Sequence, residues 1–460
     1  MRTNLLRVRV IVILCFVIVL VALGRIQLLE RSELARHPAN RYTIAKENRV
    51  KRGEIFDRNK VPLAFWTDSG IRHYPLGYAG GHPIGYSSAK LGSSGAEGWY
   101  SSQLLGQDGA LGIKNFWHRL AGVQETGYNI QLTIDANLQE YGYSLLGGNK
   151  GAIVALKPKT GEILALISSP GFDPNDLHLK WDDYVNNSDN PLFNRAISGT
   201  YPPGSTFKLV VGAAALEADP NLLDREFECP GYIQLEGRQL TCYTTHGRIN
   251  FMEGVAYSCN VVFVQLGLEI GEQQLRKQAE AFGFEQDVLE GVPVKKSGLG
   301  DAPLTVNGLG ESAIGQGKVM ATPLQMAMVT AAIANGGLLA EPVLLLGRAV
   351  PGEDFPAGSL NLAQTRVMSR ETAEILKEAM VGTVVYGTGQ QAQVAGVEVG
   401  GKTGSAENPH GQAHAWFVGF APADSPEIAI AVVVENAGSG GGLGGPVVRE
   451  LINYYLSSLQ

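Results

Sequence analysis

The chain is short of charge. Of its 460 residues, 37 are Lys or Arg and 44 are Asp or Glu, which leaves a net charge of −7. There is no basic excess to neutralise phosphates, so a bulk nucleic-acid binder is excluded and no nucleic acid is expected as a partner. Cysteine is scarcer still. Four in the whole chain are too few for a disulfide-stapled scaffold. No internal repeat is evident. What remains is 45% apolar and 18% charged, a globular composition rather than a disordered one, and long enough for two or three domains. Glycine is plentiful, at 58 residues, so many tight turns are expected.

Charge is also absent from Val10 to Gly24, fifteen residues near the start. At about 1.5 Å per residue this run falls short of a hydrocarbon core of about 30 Å. Ile26, Leu28 and Leu29 can extend it, with Arg25 snorkelling outward. Arg2, Arg7 and Arg9 precede the run and suit a cytoplasmic start, but Arg25, Arg31, Arg36 and Arg41 follow it, so charge bias alone does not set the orientation. Ala22-Leu23-Gly24 has the small-x-small form of a signal-peptide cleavage site. A retained anchor is the expectation, because apolar residues continue past that site. Either reading exports the rest of the chain. Export permits a disulfide, and Cys229 and Cys242, thirteen apart around a glycine-containing loop, are the candidate pair. Two reduced, buried thiols are the alternative.

Residues 30–127 are mixed and rich in turn formers. Gly77 to Gly112 is dense in glycine and serine, but Tyr78, Tyr86, Trp99 and Tyr100 make it a small irregular domain rather than a linker. Order is clearer after Thr133. Ala152–Leu156 and Glu162–Ile167 flank a turn at Lys157–Gly161 and read as a hairpin. Leu209–Leu216 and Val261–Leu268 are apolar, helix-like runs. Pro323 to Asn335 reads as a helix with proline at its start and Gly336 at its end. Trp416–Phe420 and Ile428–Val434 form a second hairpin, and Val447–Leu456 closes the chain as a helix. Early and late strands with helices between them predict an α+β fold with an antiparallel sheet.

Ser-x-x-Lys places a hydroxyl and an amine on one helical face. A neutral lysine there can take the serine's proton. The motif occurs at Ser87/Lys90 and at Ser205/Lys208, and only the second follows Tyr201-Pro-Pro-Gly204 and opens an apolar helical run. That puts Ser205 at a helix N-terminus, where developing negative charge is favoured. Ser87, among glycines, reads as a loop. Ser-x-Asn occurs at Ser188, Ser258 and Ser359. Ser188-Asp189-Asn190 lies in a turn-rich stretch ahead of Ser205, whereas Ser258-Cys259-Asn260 follows it and precedes an apolar run. Lys-Thr-Gly occurs at Lys159–Gly161, which turn propensity explains, and at Lys402-Thr403-Gly404, which follows Gly400-Gly401 and precedes strands.

The order Ser205, Ser258, Lys402 is that of penicillin-recognising acyl-serine enzymes. The surrounding residues sharpen it. They include Arg52-Gly-Glu-Ile-Phe-Asp-Arg-Asn59, Gly98-Trp-Tyr-Ser-Ser-Gln-Leu-Leu-Gly106, Leu132-Thr-Ile-Asp135, Lys157–Pro170 and Asn194-Arg195. Ala313-Ile-Gly-Gln-Gly317, Thr322-Pro-Leu-Gln325, Gly401–Glu407 and Ala415-Trp-Phe-Val-Gly419 continue the series. Over nearly its whole length the chain resembles the class B penicillin-binding proteins, the monofunctional transpeptidases of bacterial cell walls. Two departures stand out: Lys60 stands where the family usually has glycine, which would alter a turn, and Ser405 stands where threonine is commoner.

The resemblance implies a cytoplasmic stub over 1–9 and a transmembrane anchor over 10–29. A pedestal over 30–130 and a penicillin-binding, serine β-lactamase-like transpeptidase domain over 131–460 follow. The catalytic domain would face outward from the cell membrane, serving cell shape or cell division. It implies peptidoglycan stem peptides as substrate, β-lactams as acylating ligands, and a multi-spanning glycan polymerase docked by the pedestal. Ser205 would attack the penultimate D-Ala carbonyl. Lys208, its pKa lowered by burial and by the charge of Lys402, would be the base, and Ser258 the proton relay. Asn260 would grip the substrate amide. Lys402 and Thr403 would hold the terminal carboxylate, with Gly404 and Ser405 beside them. The backbone N–H groups of Ser205 and Ser405 would form the oxyanion hole. The alternatives are a D,D-carboxypeptidase or β-lactamase, a catalytically silent scaffold, and a β-lactam sensor.

No cofactor is expected. Gly440-x-Gly442-x-x-Gly445 matches a dinucleotide fingerprint, but only fifteen residues follow, so a strand-to-helix loop is expected instead. His410 and His414 are spaced as helical ligands, yet Pro409 and Gly411 argue against a helix and no third ligand is near, so no metal site is expected. His246, near Cys242, reads as structural rather than catalytic.

Overall fold

The computed structural model describes residues 2–28, 50–107, 109–356, 363–408 and 411–459. Ser359 and His410 lie outside these described residues. Five strands form the main sheet, in the order Ile163–Ser169, Gly151–Leu156, Ile428–Val434, His414–Ala421, Gly400–Ala406, every neighbour antiparallel. Both expected hairpins are therefore present, and they meet along Gly151–Leu156 and Ile428–Val434.

Every residue of those two strands is buried, and the reason is that helices cover both faces. Ile153, Ala155, Ile430 and Val432 pack in one cluster with Val448, Leu451 and Ile452 of the helix Gly440–Ser458. Val154, Leu156, Ala431 and Val433 pack in a second cluster with Leu324, Ala327 and Met328 of the helix Pro323–Ala334. A strand apolar on both sides shows a continuous hydrophobic run instead of alternation, which is how these segments read in the sequence. Thr322 caps the Pro323 helix by accepting from the Gln325 N–H at 3.1 Å, and Pro323 fills a first-turn position where no N–H is needed.

The closing helix starts earlier than the pattern suggests. It begins at Gly440, so the glycine-rich stretch is its first turns rather than a loop. A Cβ on Gly440 would lie 1.9 Å from the Trp416 carbonyl oxygen and 2.3 Å from that of Gly404. Only glycine lets this helix end sit on the sheet.

The N-terminal region has its own five-stranded sheet, in the order Leu345–Ala349, Asn129–Leu132, Ile55–Phe56, Pro62–Trp66, Arg72–His73. Its first strand comes from far along the chain, so the region does not close on itself at residue 130. Glu97, fully buried, accepts from Arg52 Nε at 2.5 Å, Arg72 Nε at 2.8 Å and the Tyr74 hydroxyl at 3.2 Å. Burial alone would raise the Glu97 carboxyl, but the charges of Arg72 and Arg52 outweigh it and hold the group below its ordinary value. Lys60 adopts the left-handed conformation that glycine would take (φ 65°). The turn is kept, not altered, because Asp57 Oδ1 accepts from the N–H groups of Asn59 and Val61 at 2.7 Å each.

The helix Arg2–Leu28 is 27 residues long, and its side chains from Val10 to Leu23 are exposed. Counted over the described residues, no helix is long and apolar enough to cross a membrane.

Candidate active site

Ser205 lies in the 3-10 turn Gly204–Phe207, and Lys208 begins the helix Lys208–Ala218. Three ties hold the approach to this turn. Trp416 Nε1 donates to the Pro202 carbonyl at 2.9 Å, Thr206 Oγ1 to that of Pro203 at 2.7 Å, and the Tyr201 hydroxyl to Glu435 at 2.8 Å. Glu435 is in turn held by Arg195 Nε at 2.8 Å. Gly204 has φ 54°, and a Cβ there would lie 2.6 Å from the Ser405 carbonyl oxygen. Glycine thus brings the Ser205 turn against the Lys402 strand.

The Ser258–Asn260 segment links two helices. Asn250 and Glu253 form a capping box that starts the helix Phe251–Ala256, and Asn260 opens the helix Asn260–Ala281. Between them Ser258 holds φ 58°, costly for a serine and characteristic of functional backbone. Lys208 Nζ donates to the Ser258 carbonyl and to Asn260 Oδ1, both at 2.7 Å, and to Ser258 Oγ at 3.4 Å. Asn260 Nδ2 donates to the Thr241 carbonyl at 2.8 Å. Asn260 therefore orients Lys208, and its amide already has partners on both sides.

Lys208 is 1% exposed and its Nζ sits 5.6 Å from the centre of the Phe263 ring. Burial pushes its pKa down to about 8, against an opposing pull from Cys242, Cys259 and Cys229. Of the two expected causes, burial is the one that lowers it; the Lys402 charge is not among the causes. Lys402 is itself fully buried, and burial together with the Lys208 charge lowers it well below its ordinary value. Lys402 Nζ donates to the Thr403 carbonyl at 3.1 Å. Thr403 and Ser405 line the cleft, whereas Lys402, next to Thr403 in sequence and buried within reach of the Lys208 charge, does not.

That cleft, of about 840 Å³, is lined by Ser205, Ser258, Asn260, Thr403 and Ser405, and also by Thr388 and Gln316. Gln316 lies in the stretch Ala313–Gly317 that carries the resemblance but was given no site role, and Thr388 was not singled out from the sequence. Thr388 Oγ1 lies 2.6 Å from Thr403 Oγ1, and Gln316 Nε2 donates to the Ser405 carbonyl at 3.5 Å. A threonine beside the glycines Gly387 and Gly389 was the available signal. The decoy motifs lie elsewhere. Ser87 sits in a two-residue ladder with Ser93, and Asp189 pairs with Lys150 at 2.9 Å.

A family model described as the penicillin binding protein transpeptidase domain matches residues 151–453. The chain belongs to the penicillin-binding protein transpeptidase family. Peptidoglycan D,D-transpeptidase PbpA of Mycobacterium tuberculosis is 33% identical over 485 aligned positions, 98% of each chain. Peptidoglycan D,D-transpeptidase MrdA of Acinetobacter baumannii is 32% identical, over 91% of this chain and 70% of that one. Among solved structures, the penicillin G acyl-enzyme complex of M. tuberculosis penicillin-binding protein A superposes with a TM-score of 0.80 at 35% identity. It covers 88% of this chain and 99% of that one. The fold and the class B penicillin-binding protein resemblance thus agree.

Of the two readings of Cys229 and Cys242, a bridge or two reduced thiols, the structure has the second: both thiols are free. They belong instead to a larger group. Cys229, Cys242, His246 and Cys259 bring their ligand atoms within 4.8 Å of one another. The expectation of no metal site looked to His410 and His414. Among the described residues the group that could hold a metal is these four, drawn from a strand end, the loop 242–246 and a helix cap.

Proposed function

We propose that this chain is a peptidoglycan D,D-transpeptidase working through an acyl-serine at Ser205. One observation carries the reading: three separated motifs converge on one cleft, with the buried Lys208 bonded to both polar residues of Ser258-x-Asn260. Ser205 Oγ attacks the penultimate D-Ala carbonyl while Lys208 takes its proton. The carbonyl oxygen, now negative, is held by the N–H groups of Ser205 and Ser405. A donor of this kind is worth about 2.7–4 kcal/mol in the transition state. Ser258 passes the proton to the departing D-Ala amine as the C–N bond breaks. Thr403, with Thr388 fixing its hydroxyl, and Lys402 on the same strand hold the substrate carboxylate. An amine from a second stem peptide then attacks the ester, forms the cross-link and frees Ser205. β-Lactams enter as mimics of the acyl donor and stay as a slow ester.

The reading extends to the membrane. The helix Arg2–Leu28 would span about 40 Å at 1.5 Å per residue, and its uncharged stretch Val10–Gly24 has no protein cover. On its own that stretch falls short of a membrane span; in this reading Ile26 and Leu28 of the sequence lengthen it into a single-pass anchor with the catalytic domain outside the cytoplasm. The N-terminal region acts as a pedestal that docks a multi-spanning glycan polymerase. Exposed Ile113, Phe116, Trp117 and Leu120 on the helix Gly109–Leu120 support such a face.

The test is amine exchange. The full chain in detergent, given a stem pentapeptide and a labelled D-amino acid, is expected to swap the terminal D-Ala for the label. Release of D-Ala with no label incorporated would make the chain a carboxypeptidase.

A further inference from the structure

Two cavities meet at one ion pair. Beside the cleft that holds Ser205 lies a smaller cavity of about 320 Å³, and Arg238 and Glu311 line both. Arg238 Nη1 donates to the Glu311 carboxylate. The acyl-transfer steps use neither residue. Among the described residues, the one other charged side chain lining the cleft is Glu407, and the smaller cavity adds Lys318. The smaller cavity therefore sets two cations against one acid.

Both members of the pair are tied to the walls of the cleft. Arg238 lies in the turn between the strands Tyr232–Gln234 and Gln239–Thr241, where its carbonyl accepts from the Leu235 N–H at 2.8 Å. Glu311 lies on the helix Val306–Ala313. The turn is seated on that helix: Asn307 Nδ2 donates to the Glu236 carbonyl at 2.8 Å, and a Cβ on Gly310 would lie 2.7 Å from Leu235 Cδ1. At its base the hairpin holds Asn260 through the Thr241 carbonyl. Past the helix, the Gly315 carbonyl accepts from the Gly204 N–H at 2.9 Å, next to Ser205. The Arg238 side chain is nevertheless 57% exposed, and a pair with so exposed a partner adds little to stability. Its place between two cavities suits a ligand better than a brace.

The chemistry of the donor stem says which ligand. Its scissile carbonyl belongs to the penultimate D-Ala, and the terminal D-Ala carboxylate goes to Lys402 and Thr403. The third residue, a diamino acid, joins the penultimate D-Ala on the side away from that carboxylate. Its side chain therefore extends away from the strand Gly400–Ala406, to which neither Arg238 nor Glu311 belongs. We propose that the Arg238–Glu311 junction is the subsite for the side-chain end of the donor's third residue, and that it selects an end carrying both an ammonium and a carboxylate. Glu311 takes the ammonium and Arg238 the carboxylate, so the zwitterion lies head to tail along the pair and all four charges are matched. A lysine side chain brings the ammonium alone and leaves the two cations of the smaller cavity unmet. Polar groups left unpaired are how a site rejects the analogue that lacks their partner. This assignment rests on the transpeptidase reading and names the donor that reading leaves open.

The experiment uses the full chain in detergent and two stem pentapeptides, identical except for meso-diaminopimelate or L-lysine at the third position. It reads exchange of the terminal D-Ala for a labelled D-amino acid. Wild type is expected to use the diaminopimelate donor at least about tenfold better in kcat/KM, the worth of a hydrogen bond to a charged group. Arg238→Gln is expected to bring the ratio of the two donors close to one, through loss on the diaminopimelate donor. Glu311→Gln is expected to weaken both donors, since both carry the ammonium. Benzylpenicillin, whose side chain is uncharged, reports on the rest of the cleft in each variant. Equal use of the two donors by wild type would overturn the subsite. So would a fall in benzylpenicillin acylation as large as the fall on the diaminopimelate donor, which would make the pair a brace for the hairpin. A wild type that neither exchanges a donor nor takes up benzylpenicillin would instead count against the transpeptidase reading.

Discussion

Lys208 Nζ donates to Asn260 Oδ1 at 2.7 Å, joining two motifs 52 positions apart in the chain. The bond makes Asn260 part of the apparatus that aims the base, in addition to any contact it makes with substrate. Hydrogen bonds to charged groups are worth about 1.5–3 kcal/mol, about 10- to 150-fold in rate if spent on alignment. Asn260→Ala is expected to lower the rate of β-lactam acylation by that factor. The melting temperature should fall by only a few degrees, as followed by calorimetry beside a fluorescent-penicillin assay.

The burial of Lys208 sets a pH profile. The groups that face it are Lys402 and the thiols of Cys229, Cys242 and Cys259. Below about 8 the amine is protonated and cannot accept from Ser205; above it the base is free. Acylation should therefore rise about tenfold per pH unit up to about 8 and then level off. Stopped-flow measurement with one β-lactam across pH 6 to 9 checks this, and a flat profile would remove Lys208 as the base.

Thr388 offers a separate handle on the carboxylate end of the substrate. Its hydroxyl is 2.6 Å from that of Thr403. Thr388→Val keeps the volume and removes the bond. Turnover of a carboxylate-bearing donor should drop about fivefold, in line with the loss of one hydrogen bond of about 1 kcal/mol. Thr388→Ser should restore it.

The N-terminal region depends on one buried carboxylate. Glu97→Gln would leave Arg52 and Arg72 facing a neutral amide, and breaking such a buried pair costs about 3–5 kcal/mol. The sign of the pH dependence follows from the depressed carboxyl. Its contribution is complete above the unfolded value of about 4.3 and is lost as pH falls through the lower folded value. Thermal melts from pH 7 to pH 3 should show wild type losing stability toward acid and the variant losing less.

Much of this was legible before any coordinates. Both hairpins and the Pro323 helix follow from apolar runs bounded by turn and cap residues, and motif order separated Ser205, Ser258 and Lys402 from their duplicates. Other features are contacts between distant segments, which no local pattern carries. The Gly440–Gly445 stretch looked like a loop because glycine disfavours helix, yet its early start follows from the Trp416 and Gly404 carbonyls packed against it. The strand Leu345–Ala349 joins a sheet begun nearly 300 residues earlier. The thiol–imidazole group escaped notice because its members reach one point from a strand end, the loop 242–246 and a helix cap. The full burial of Lys402 is likewise a property of the folded sheet that its sequence neighbours do not carry.

The most direct test of the account is the intact mass of the chain after incubation with benzylpenicillin, wild type beside Ser205→Ala. The account predicts one stable penicillin adduct on the wild type and none on the variant. Hydrolysed antibiotic without an adduct, or an adduct that survives Ser205→Ala, would contradict it.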